Sequence, residues 1–220
     1  MINSQREMTE EERIIWNEGE RLIPGVTHDE NETKRHSASY NFFAKLIEED
    51  VHTRSICPII MDLGCGIGFG CEILSKMNGS VVVGIDSSRE CIDYANKNYF
   101  QTNVVYKQDD LVTFIPEMKP YDYVVSRGVL EHIEGGLELA QKVKFKYMFI
   151  FDVPYNEPEE NNPHHLISRI TEEDLEGFEY ADIYYEDING NITKEKPENP
   201  ILIMCACKHV TTCNNVEDMT

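Results

Sequence analysis

The chain has 220 residues, 41% of them apolar, which is enough to fill one α/β core with helices on both faces. Forty acidic residues against twenty basic ones give a formal net charge of -20, and no segment gathers lysine and arginine into a phosphate-tracking stripe, which argues against a nucleic-acid partner. No apolar run approaches a membrane span and no basic-then-apolar leader opens the chain, so a cytoplasmic protein with no membrane partner is expected.

Thr9 and Glu12 have capping-box spacing and predict a helix over 10–20. Residues 25–33 read as a loop, and 36–49 as a helix whose Tyr40, Phe43, Ala44 and Ile47 form an apolar stripe. Residues 1–55 thus make a helical cap and a leading segment ahead of the first strand. That strand, Ile59-Ile60-Met61-Asp62-Leu63, runs into Gly64-Cys65-Gly66-Ile67-Gly68-Phe69-Gly70, with glycine at every second position. Glycines there let the backbone approach a ligand closely, and a helix starting near Phe69 turns unpaired N–H groups toward it. The spacing is G-x-G-x-G; Phe69 stands where the dinucleotide-binding turn needs its third glycine, which counts against a nicotinamide or flavin cofactor.

A second apolar strand, 80–86, ends in Asp86, placed to accept hydrogen bonds from both vicinal hydroxyls of a nucleoside. Ser87 with Glu90 then has capping-box spacing and opens a helix to about residue 98. A third strand begins at Val104 and exits through Asp109, Asp110 and Leu111, where a carboxylate can accept from an exocyclic amine, or Asp110 can cap the next helix. The fourth strand starts at Tyr121, carries Ser126 and Arg127 at its end, and leads to Leu130-Glu131-His132. A short helix over 137–143 and a fifth strand over 147–151 follow.

Residues 156–169 carry no periodicity, and a loop of that length beyond the carboxyl edge of an open sheet reads as a lid over an acceptor pocket. Thr171 with Asp174 restarts a helix. A strand over 180–186, the Asn189-Gly190 turn signal and a last strand over 201–206 complete the sheet, leaving 209–220 as a flexible tail after one domain over 1–208. Of the seven cysteines none has C-x-x-C spacing, so reduced thiols and no metal are expected; Cys205 and Cys207 read as core.

The run Asp62-Leu63-Gly64-Cys65-Gly66-Ile67-Gly68 resembles motif I of the class I S-adenosylmethionine (SAM)-dependent methyltransferases, and the Asp86, Asp109 and Leu130-Glu131-His132 segments match that family's later motifs in order. The resemblance implies a doubly wound, mostly parallel, seven-stranded sheet closed by an antiparallel hairpin. It implies a SAM site, with S-adenosylhomocysteine (SAH) as product, drawn from Asp62, Gly64, Cys65, Gly66, Gly68, Asp86, Ser87, Asp109, Asp110, Leu111, Ser126 and Arg127. The segment from Gly19 to Gly25 with His36 and Tyr40 is similar to that of members in glycan and natural-product pathways, although Ser39 replaces their usual arginine. Asp152-Val153-Pro154-Tyr155 superficially resembles the motif of amino-methylating nucleic-acid enzymes, but it follows the fifth strand rather than the fourth. The expected reaction is in-line methyl transfer to a small-molecule or sugar-linked acceptor. His132, His164 and His165 are the candidate bases, because imidazole titrates near neutrality. A noncatalytic SAM-binding partner subunit and a nicotinamide-dependent oxidoreductase are the alternatives, and the oligomeric state is not legible.

Overall fold

The computed structural model describes residues 6–27 and 30–209. Chain order is α1 (Glu10–Asn17), α2 (Glu30–Arg54), β1 (Ile59–Leu63), α3 (Phe69–Ser75), β2 (Val81–Asp86), α4 (Arg89–Asn98), β3 (Val104–Gln108), α5 (Leu111–Glu117), β4 (Tyr121–Arg127), α6 (Gly136–Ala140), β5 (Phe145–Pro154), β6 (Ala181–Asp187), β7 (Ile192–Thr193) and β8 (Pro200–Lys208). The strands form one sheet in the order β3-β2-β1-β4-β5-β8-β6-β7. Pairing is parallel from β3 through β5 and antiparallel from β5 outward.

The chain winds outward from β1 to β3, then crosses back to place β4 on the other side of β1. This reversal opens a crevice beyond the carboxyl ends of β1 and β4, where ligands bind in open α/β sheets. Alternation along the strands divides the core between the two faces. Met61, Val124 and Phe149 pack on one face with α5 and α6. Ile60, Val125 and Ile150 pack on the other, with Phe43 and Ile47 of α2.

Several expectations shift. The capping box at Thr9 and Glu12 is present in both halves, but α1 ends at Asn17 rather than 20. The second helix outruns 36–49 at both ends, because Glu30 and Glu32 suit its first turn and His52 and Arg54 its last. Ser87 is not the cap of α4. Ser88 is, its Oγ accepting from the Cys91 N–H at 3.0 Å, while Asp86 Oδ1 accepts from the Ser88 N–H and sets that offset. Thr171 and Asp174 do not restart an α-helix: the Asp174 carboxylate accepts from the Thr171 N–H, and only a 3-10 turn over Glu173–Leu175 follows.

Among the described residues the sheet has eight strands, not seven. The Asn189-Gly190 turn joins β6 to the two-residue β7, and the last strand, β8, inserts between β5 and β6. Lys208 still belongs to β8, and the His209 N–H donates to the Tyr147 carbonyl. The remainder of the expected tail lies outside the described residues.

Candidate functional site

Above the crevice lies a cleft of about 480 Å³, within the size range of small-ligand sites. One wall is the glycine turn. Gly66 has φ +51° and its Cβ position meets nothing within 4 Å, so its missing side chain is open cleft space. Gly68 differs: a Cβ there would lie 2.6 Å from the Tyr106 hydroxyl, so that glycine serves packing behind the turn, and Gly68 does not line the cleft. The Gly66 N–H donates to Asp86 Oδ2 at 2.9 Å, and the Asp86 carboxylate also faces Arg21 Nη2 at 3.9 Å. Asp86 therefore organises the turn while keeping acceptor capacity, since a carboxylate has about four lone-pair sites.

Gly64, Cys65, Gly66, Asp86, Ser87, Asp110, Leu111 and Arg127 line the cleft, along with His132 and His165. Asp62 does not. It lies fully buried beneath the turn and accepts from the Tyr40 hydroxyl at 3.2 Å and the Cys71 thiol at 3.2 Å, and burial pushes its carboxyl up to about 7. Burial likewise pushes the Cys65 thiol up to about 11. Asp109 also stands outside. Lys107 Nζ holds its carboxylate at 2.7 Å and lowers its pKa, so this exposed pair is a surface contact. Asp110 takes the cleft position and caps α5 through the Val112 N–H at 2.9 Å. Ser126 is buried behind the wall, donating to the Leu63 carbonyl at 3.1 Å. At the floor, Arg127 Nη1 meets His36 Nε2 at 2.6 Å, and its Nε faces Asp152 Oδ2 at 3.7 Å.

The opposite wall comes from the segment after β4 and from the loop over 156–169. The loop's neck closes through the Asn156 N–H to the Ile170 carbonyl at 2.7 Å and the Arg169 N–H to the Glu157 carbonyl at 2.8 Å. Its return is pinned where the Leu166 N–H donates to the Glu131 carbonyl at 2.7 Å. This brings His165 edge-to-face against His132, ring centroids 4.8 Å apart. His164 is exposed and outside the cleft, but its carbonyl meets His132 Nδ1 at 3.0 Å. A carbonyl only accepts, so Nδ1 of His132 carries the proton and Nε2 keeps the lone pair in the neutral ring. Burial lowers the His132 pKa and favours that neutral form. In His165, Nδ1 bonds Glu157 Oε2, which places its proton there too and leaves Nε2 as acceptor of the Asn162 amide at 3.0 Å.

Glu20, Arg35, His36, Glu131, Glu157 and Asn162 also line the cleft and were not singled out as ligands from sequence. Glu131 is fully buried; burial, reinforced by Asp152, raises its carboxyl to about 8. Only its place in the Leu130-Glu131-His132 segment marked it beforehand.

Residues 60–144 match a family model described as a methyltransferase domain. The chain is 32% identical over 76 residues to the ubiquinone biosynthesis O-methyltransferase of Bartonella tribocorum, covering 34% of this chain and 30% of that protein. It is 30% identical over 88 residues to the mitochondrial counterpart of Dictyostelium discoideum, covering 34% of this chain and 27% of that one. The chain thus spans under a third of the length of these curated relatives. Among solved structures, the plantazolicin methyltransferase BpumL in complex with SAH superposes with TM-score 0.61 at 17% identity, over 90% of each chain. The magnesium protoporphyrin IX methyltransferase of Synechocystis PCC 6803, with bound SAH, gives TM-score 0.59 at 14% identity over 89% of this chain and 92% of that one. At these identities the structural likeness speaks to the fold.

Proposed function

We propose that the chain, whose residues 60–144 match a methyltransferase-domain model, is a class I SAM-dependent methyltransferase that transfers a methyl group from SAM to a small-molecule or sugar-linked acceptor. One observation carries the reading: the open space at Gly66 lies beside the Asp86 carboxylate, on the cleft wall formed by the carboxyl ends of β1 and β2. The residues fit the cofactor. Gly66 leaves room for its amino-acid end, Asp86 has acceptors for the ribose hydroxyls, and Asp110 and Leu111 border the place for the base. SAM, when bound, supplies a methyl group already activated by a positive sulfur.

The chain's own residues then have to orient the acceptor and exclude water. The loop over 156–169 covers the cleft and serves the second task. His132, whose burial favours the neutral ring, presents an Nε2 lone pair that serves to take or hold an acceptor proton, and His165 packs against it as the second candidate. We read residues 1–208 as one domain, supported by a sheet whose strands run from Ile59 to Lys208. We also read the protein as having no nucleic-acid substrate, supported by the net charge of -20, and place it in the cytoplasm, supported by the free cysteines among the described residues. No helix among the described residues is long and apolar enough to cross a membrane.

The test is calorimetry with SAH. Wild type should bind, and Asp86→Ala should weaken binding by about 1.5 to 3 kcal/mol, the range for hydrogen bonds to a charged group. Unchanged affinity in a folded variant would remove Asp86 from the cofactor site. Binding without turnover on any hydroxyl or amine acceptor, reversed by adding a second protein, would convert the reading into that of a partner subunit.

A further inference from the structure

We infer that Glu20, His132 and His165 form a binding site for a divalent transition-metal cation at the acceptor end of the cleft. A Glu20 oxygen and one ring nitrogen from each histidine lie within 4.8 Å of one another, all half-buried. His165 Nε2 and Glu20 Oε2 are 3.7 Å apart, a separation that two ligands of one cation at about 2.1 Å can span.

The surroundings are built for ligation. A ligating histidine needs its second ring nitrogen protonated and held, so that the first offers its lone pair in a fixed direction. Both rings meet this. His132 Nδ1 is held by the His164 carbonyl at 3.0 Å, and His165 Nδ1 by the Glu157 carboxylate, the carboxylate-histidine arrangement found behind metal ligands. The Asn162 amide already exploits the converging lone pairs. Its Nδ2 donates to Glu20 Oε2 at 2.6 Å and to His165 Nε2 at 3.0 Å, while its Oδ1 is fixed by the His164 N–H at 3.0 Å. An N–H₂ group donating to both atoms marks a point where positive charge is welcome, and a cation would displace it.

Two imidazoles and one carboxylate suit Zn²⁺ or Mn²⁺ rather than Ca²⁺ or Mg²⁺. Three protein ligands leave coordination positions for an acceptor oxygen. That last use rests on the methyl-transfer reading; the site itself rests on the geometry alone.

The experiment is titration of the full chain, stripped of metal, with Zn²⁺ by calorimetry and with Co²⁺ by visible absorption, each alongside SAH binding. One Zn²⁺ per chain is expected, with His132→Ala and His165→Ala each weakening it at least tenfold while SAH affinity stays within about twofold. Glu157→Gln should weaken Zn²⁺ roughly tenfold as an outer-sphere partner. Asn162→Ala should tighten it by removing the competing amide. Equal Zn²⁺ affinity in wild type and the His132→Ala, His165→Ala double variant would mean adventitious binding and overturn the site, as would no Zn²⁺ binding at micromolar concentration. Zn²⁺ binding without SAH binding would uphold the cation site and overturn the methyl-transfer reading; the converse would do the reverse.

Discussion

Gly66 and Gly68 sit two residues apart in one turn and do different physical work. Asparagine tolerates the left-handed backbone that Gly66 adopts, so Gly66→Asn should fold and yet fill the cleft with its side chain. Calorimetry should show loss of SAH binding, with the thermal midpoint lowered by only a few degrees. Gly68→Val should instead lower stability outright by driving into Tyr106 and Ala95. A Gly66→Asn protein that binds SAH normally would show that the turn is structural only. Glu186 gives a second test at this scale. Burial raises its carboxyl to about 7, so the folded state holds a proton that the unfolded chain has released by that pH. Stability from this group is present below the ordinary glutamate range and is lost as pH rises toward 7. Glu186→Gln keeps an acceptor for the Ser39 hydroxyl, which bonds Glu186 at 2.7 Å, and should flatten the fall in thermal midpoint between pH 5 and pH 8. An unchanged slope would show that the acid is not neutral in the fold.

Among the elements, the loop over 156–169 is held at its return by backbone bonds and by Ile167 packed on the core, while Leu166 itself is exposed. Leu166→Pro removes the shorter of the two N–H bonds to the Glu131 carbonyl, leaving the one from Ile167 at 3.2 Å, and should speed proteolytic cleavage within the loop several-fold without changing SAH affinity. Equal cleavage rates would place the loop's restraint elsewhere. The sequence made this loop visible because periodicity stops there, and made β1 and β2 visible because apolar runs end in glycine and aspartate. It could not resolve one-residue choices. Ser87 and Ser88 are both competent caps, and Asp109 and Asp110 both competent acceptors; Asp86 and Lys107, brought in by folding, settle which does which. The metal ligands were illegible for a related reason. Glu20, His132 and His165 come from three separate segments, so no spacing links them until the loop folds back. The two-residue β7 was hidden because its partner strand, not its own pattern, defines it.

At the scale of the whole molecule, the last strand of the described residues is interior in space. β8 pairs with β5 on one side and with β6 on the other. A chain ending at residue 199 should therefore leave two strand edges open, fail to show a cooperative thermal transition, and not bind SAH; a cooperative melt would show that the parallel half folds alone. During synthesis the same arrangement imposes a sequence of events. Until residues 200–208 leave the ribosome, β5 and β6 have no neighbour to join them, and the nascent protein carries both as exposed edges. The parallel half can assemble first as β1 to β5 emerge, but the half bearing β6 waits on β8. Emergence of residues 200–208, rather than completion of the glycine turn, is then the moment at which the sheet becomes one body, and the interval before it is when a chaperone has a substrate.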